Sequence, residues 1–295
     1  MHVSKYIKNN IFYFVIIAPS VIFMTWLTLY PVLQVMSLSL YDYNFISDVR
    51  KFIGLDNYRQ ILQSTLFRDS FFNTLQFSLI ATFFEVGLGL LLAFVFDGQF
   101  RGKRSFMTIV IFPMMLSTMV VSAIWKTLYH NDIGLLNAML RNAGMSPVGW
   151  LIDPAKALYS IILIDIWQWT PFVFIMLQAS MQSIPRETFE AAQIDGARLH
   201  QIAFRITIPI LASQIMLVAM LRTIDTFKLF GKVYALTQGG PGNSTETLST
   251  FIYREGFSYF NLGRASTASL LTLLVVTLIS LFYIRKILHE DGTNA

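Results

Sequence analysis

Cysteine is absent from the 295 residues, so the chain has no means to build a disulfide framework, a thiolate nucleophile, an iron–sulfur cluster or a Cys-based zinc site. Histidine is scarce too. His2, His130, His200 and His289 are dispersed and form no H-E-x-x-H pair, so metal-assisted chemistry has no visible site and neither a metal nor a cofactor is expected. No G-x-x-x-x-G-K-[ST] run occurs, so the chain lacks a phosphate-cradling loop of that type. Charge is the largest deficit: 13% of residues are charged, against roughly 25% in an average soluble domain. With 55% hydrophobic residues, 26 Phe and a mean hydropathy of +0.57, the chain is too apolar for water alone and too apolar to be disordered. The net charge of +5 is spread between apolar blocks rather than gathered on a patch, which fits membrane-flanking charge and not a nucleic-acid partner.

A hydrocarbon core about 30 Å thick needs roughly 20 apolar residues at 1.5 Å rise each. Six runs meet that length: residues 11–33, 71–96, 106–129, 158–181, 207–230 and 265–284. An all-α polytopic membrane protein with about six transmembrane helices, built as one integral domain over 1–295, is therefore expected. Pro19 and Pro31 fall inside the first run, where kinks and not breaks are predicted, because neighbouring groups in a membrane can satisfy the freed carbonyls. Six crossings put both termini on one side. Lys and Arg are denser around the termini and in loops 97–105 and 182–206 than in loops 34–70, 130–157 and 231–264, so the positive-inside rule points weakly to cytoplasmic termini.

The stretch 183–209 carries more pattern than a connector needs. Pro185, Arg186, Glu187 and Glu190 read as a helix start whose acids complement the helix dipole, and Gly196 is placed to end that helix in the left-handed region. Leu199, Ile202, Ala203 and Ile206 follow at helical spacing, and Pro209 stands where the fifth run opens. From the residues alone, this helix pair is either a docking surface or an amphipathic helix resting on headgroups.

Glu190, Ala191, Ala192, Asp195, Gly196, Ile206 and Pro209 have the types and spacing of the EAA loop, and the chain resembles the permease subunits of binding-protein-dependent ABC importers, in their MalF-like carbohydrate branch. The usual second proline four residues beyond Pro209 is Ser213 here. The resemblance extends through Pro19, Pro31, Gly54 to Tyr58, the Trp167, Trp169, Thr170, Pro171, Phe172 group and the Thr237 to Thr247 segment with its Gly239, Gly240, Pro241 and Gly242. It implies a bacterial inner-membrane location with cytoplasmic termini and a second, MalG-like permease subunit forming a heterodimer. It also implies two ATPase subunits gripping Glu190, Ala191, Ala192, Asp195, Gly196, Arg198 and Pro209 at the cytoplasmic face, and an extracytoplasmic solute-binding protein. No catalytic residue is then expected on this chain.

Glu85, Asp165, Arg222 and Asp225 lie inside apolar runs, where a charge near the bilayer centre costs about 2.5–3.5 kcal/mol on insertion scales. Arg222 and Asp225 are three apart on one helix face, in line with Gln214. A structural salt bridge explains them; so does a polar path for a hydroxyl-rich solute formed with Asp165, Gln168, Trp167 and Trp169. On the second run Ser78, Thr82, Glu85 and Gly89 share a face, read first as close helix packing. The competing function is an ion-gradient-driven secondary transporter, against which the absence of an inverted repeat counts.

Overall fold

The computed structural model describes residues 2–98 and 100–293, with side chains over 16–98 and 100–289; the side chains of His2, Lys5 and Lys8 lie outside the described residues. The chain divides into two compact units, residues 1–63 with 252–271, and residues 64–251 with 272–295.

In the first unit, helix α1 (His2–Leu38) runs unbroken through Pro19 and Pro31 and is exposed along its span. Its apolar faces have lipid as their natural solvent. An antiparallel hairpin follows, β1 (Tyr41–Asn44) and β2 (Val49–Phe52), with Tyr41 opposite Phe52 and Tyr43 opposite Arg50. Helix α2 (Asp56–Gln63) is tied back by Asn57, whose Nδ2 donates to the carbonyls of Ser39 and Tyr41 at 2.9 Å each.

The second unit holds the long packed helices. Helix α3 (Thr65–Asp97) starts at Ser64, whose hydroxyl accepts from the Phe67 amide. The expected third span is not one straight helix. Helix α4 (Lys103–Met115) and α5 (Thr118–Leu128) meet at a 98° bend. Pro113 removes a donor from the end of α4, and Ser117 caps a new helix by accepting from the Val120 amide. After α6 (Leu135–Asn142), Asn137 pins the 130–153 loop. Its Nδ2 donates to Asn131 and Val148 carbonyls, and its Oδ1 accepts from the Val148 amide and Trp150 Nε1.

Helix α7 (Pro154–Gln182) is capped by Asp153, whose carboxylate accepts from the Ala155 amide at 2.9 Å and pairs with Lys156 at 2.8 Å. The Lys156 ammonium, then the Ala155 amide, hold that carboxyl below the usual carboxylate range. Two apolar clusters line α7. One gathers Phe77, Val121, Ile161 and Val233; the other gathers Phe96, Phe174, Leu177, Leu211 and Val218.

Then come α8 (Arg186–Ile194), α9 (Leu199–Ile202), a π-helical turn (Ala203–Thr207), α10 (Ile208–Ile210) and α11 (Ala212–Phe227). The fifth expected span is thus bent as well, by 69° around Leu211. Pro209 does not open the main helix but sits in the short piece before the bend. Lacking an N–H, it leaves the Arg205 carbonyl without its helical donor, and the chain widens into i→i−5 bonding, seen where the Ile208 amide donates to the Ala203 carbonyl. Short helices α12 (Gly231–Leu236) and α13 (Leu248–Tyr253) follow, and α13 leads through a second π turn to α14 (Leu262–Thr293). Among the described residues four helices are long and apolar enough to cross a membrane, or six crossings if each bent pair counts as one.

Candidate functional site

Four charged side chains from four helices of the second unit close on one another. Helix α3 contributes Glu85 from the face it shares with Ser78, Thr82 and Gly89, all buried. That face lies against α7 and α11: the Ser78 and Thr226 hydroxyls are 2.7 Å apart, and a Cβ at Gly89 would stand 2.6 Å from Val173 Cγ1. The packing reading of this stripe therefore holds, and it delivers Glu85 to Arg222.

Arg222 of α11 donates from Nε to Glu85 Oε2 at 2.7 Å and from Nη2 to Glu85 Oε1 and Asp165 Oδ2 at 3.1 Å each. The paired geometry gives both charge and direction to the contact between α3 and α11. Its guanidinium also lies 4.8 Å over the Trp169 ring. Asp165 and Trp169 reach the same point because they are one turn apart on α7. Asp165 is held from its other oxygen by the ammonium of Lys232, on α12. Asp225 Oδ2 stands 3.6 Å from Arg222 Nη1, with its side chain 54% exposed. The cluster is ion-paired and buried on one side, and on the other forms part of a cavity of about 280 Å³ lined by Asp165, Trp169, Arg222, Asp225, Lys228 and Lys232 among others.

Of the expected pathway residues, Asp165, Trp169, Arg222 and Asp225 come together there; Gln168, Trp167 and Gln214 do not. Gln168 is buried and donates to the Leu116 carbonyl at 3.0 Å, satisfying a helix-end acceptor at the α4–α5 bend. Trp167 packs edge-on to Trp125, 5.6 Å between centroids. Gln214 is exposed near the start of α11, eight residues and so about 12 Å along the axis from Arg222. Lys232 was not anticipated. It follows the fifth apolar run and reads in sequence as an outer-loop charge, whereas it is buried, at 1% exposure. No count inside the runs announced it, because Lys126 and Lys228 together with Arg222 already match the three acids there.

The 183–209 segment sits at the other end of α11. Gly196 is left-handed, with φ of +77°, and ends α8 with the Gly196 amide donating to Gln193 O and the Ala197 amide to Ala192 O. Glu190, Ala191, Asp195 and Arg198 are exposed, while Ala192 is turned inward and Phe189 packs on the cluster containing Met181, Ile184 and Leu211. In the second part of the pair Ile202 is buried as the spacing predicted, but Leu199 points out. Ile194, Leu199 and Phe204 are 85%, 82% and 71% exposed, apolar tips that the polar motif did not announce.

Comparisons with known proteins agree with this architecture. Residues 85–289 match the family model described as the binding-protein-dependent transport system inner membrane component. A probable ABC transporter permease of Sinorhizobium fredii is 38% identical, covering 82% of this chain and 78% of its own length. The trehalose/maltose transport system permease MalF of Thermococcus litoralis is 34% identical over 95% of each. A chain of the crystal structure of a bacterial ABC transporter involved in import of the acidic polysaccharide alginate superposes with a TM-score of 0.84 at 25% identity, covering 98% of this chain and 99% of that one. With its helices and these matches together, the chain belongs to the binding-protein-dependent transport system inner membrane components, the multi-pass permease subunits of ABC importers.

Proposed function

We propose that the chain works as one transmembrane permease domain that carries a hydroxyl-rich solute past the Arg222 cavity, as half of a heterodimer with a second, MalG-like permease. ATP hydrolysis resides on two separate subunits docked on Glu190, Ala191, Ala192, Asp195, Gly196, Arg198 and Pro209, with both termini cytoplasmic and a solute-binding protein delivering from the other face. The carrying observation is that α11 joins the two: the exposed helix pair leads into one end of it, and Arg222 and Asp225 stand near its other end. Phe189 locks α8 onto the same apolar cluster as Leu211 and Val218, so a push on α8 reaches α11 through packed side chains. The exposed Ile194, Leu199 and Phe204 suit a cleft on an ATPase better than water. The sugar-linked relatives support the solute class.

The test is Glu190→Lys in the complex co-expressed with its ATPases. The variant is expected to reach the membrane at normal levels yet lose ATPase co-purification and ATP-dependent uptake. Full uptake with ATPases recovered at wild-type yield would overturn the docking role.

A further inference from the structure

We infer that the cavity selects uncharged polyhydroxylated solutes over anionic ones, with Asp225 as the group that accepts their hydroxyls; this rests on the translocation reading above and narrows it. A buried arginine beside a cavity is the obvious clamp for a carboxylate, sulfonate or phosphate. Arg222 is not free to be one. Its Nε and Nη2 are committed to Glu85 and Asp165, at 2.7 and 3.1 Å, its ring-facing side is taken by Trp169, and the side chain is 2% exposed. The remaining nitrogen, Nη1, looks onto Asp225 Oδ2 at 3.6 Å, so an anion approaching it would meet a carboxylate first. Lys232 is likewise spent, buried against Asp165.

Among the described residues Glu85 and Asp165 are enclosed with Arg222 and Lys232, and the accessible negative charge is that of Asp225, the one member of the group that is more than half exposed. Lys228, exposed one turn further along, offsets it only at the rim. Recruiting Arg222 to an anionic solute would strip a buried carboxylate of its partner, a penalty that a solute contact at the cavity edge does not return. An ionised carboxylate, by contrast, accepts two hydroxyls at once, and Trp169, Leu229 and Phe230 in the same lining offer apolar faces to the C–H side of a sugar ring. At about 280 Å³ the space lies at the lower edge of small-molecule sites, room for a solute of sugar size.

The experiment reconstitutes the complete complex with its ATPases, second permease and binding protein in liposomes. ATP-dependent uptake is measured for maltose, trehalose and glucosylglycerol against glycerol 3-phosphate, glucuronate and alginate oligomers. The expected result is uptake confined to the neutral group, reduced about 10-fold by Asp225→Asn and largely kept by Asp225→Glu, with ATPase co-purification unchanged in both. Asp225→Lys should shift the preference toward the anionic group. Carriage of an anionic solute at a rate matching the neutral ones, or undiminished neutral uptake in Asp225→Asn, would overturn the selectivity. No uptake of any member by an assembled complex that hydrolyses ATP would instead defeat the translocation reading itself.

Discussion

Lys232 decides how the buried cluster closes. Alone among the four partners it comes from a short helix, and through Asp165 it fastens α12 to α7. Removing one member of a buried ion pair strands the other, so Lys232→Met is expected to destabilise the folded protein by about 3–5 kcal/mol. The double variant Asp165→Asn with Lys232→Met should recover a large part of that loss. Thermal unfolding of the four proteins of this cycle in detergent measures the coupling, and additive losses would show that the pair contributes nothing. Glu85, Asp165, Arg222 and Asp225 were legible in the sequence because a charge inside an apolar run is expensive and must be satisfied. Lys232 was not, because it lies just past the end of a run and looks like any flanking base. Trp167, two residues from Asp165, turns to another helix face and packs on Trp125, whereas Gln168, three residues away, is drawn to the Leu116 carbonyl instead of the cavity.

Helices show a second limit of the pattern. The apolar runs of α3 and α7 gave their positions well, since long continuous hydrophobicity has one solution in a bilayer, but the bends after Met115 and around Leu211 follow from Pro113, Ser117 and Pro209, whose effect depends on which carbonyls find new donors. Gly89 marks where α3 and α7 touch most closely. A Cβ there would also come within 3.0 Å of the Phe174 amide nitrogen, so Gly89→Ala should cost about 1–3 kcal/mol, read as a lowered unfolding midpoint. A Cβ at Gly196, by contrast, meets nothing within 4 Å; there the backbone is the constraint. Proline fixes φ near −65°, opposite in sign to the observed +77°, and removes the amide that closes the turn. Gly196→Pro should therefore leave membrane insertion intact and abolish ATP-coupled uptake, measured in the same vesicles as Glu190→Lys; retained uptake would show that the turn is dispensable.

For the whole molecule, the absence of native cysteine makes sidedness simple to measure. A single cysteine at Asn243 is expected to react with a membrane-impermeant maleimide from outside the cell, and one at Glu187 only after permeabilisation; the reverse pattern would invert the topology. The class of molecule was legible because a chain so apolar and so poor in charge cannot keep its surface in water, whereas the convergence of charges from four helices on one point is a property of tertiary packing. That convergence also bears on biosynthesis. Glu85 and Arg222 are 137 positions apart in the chain. At about 5–20 residues per second, the ribosome needs roughly 7–27 s to supply the arginine after the glutamate has been made. Throughout that interval α3 carries its acid without a partner, at a cost of about 2.5–3.5 kcal/mol in lipid, and the arrival of α11 relieves it.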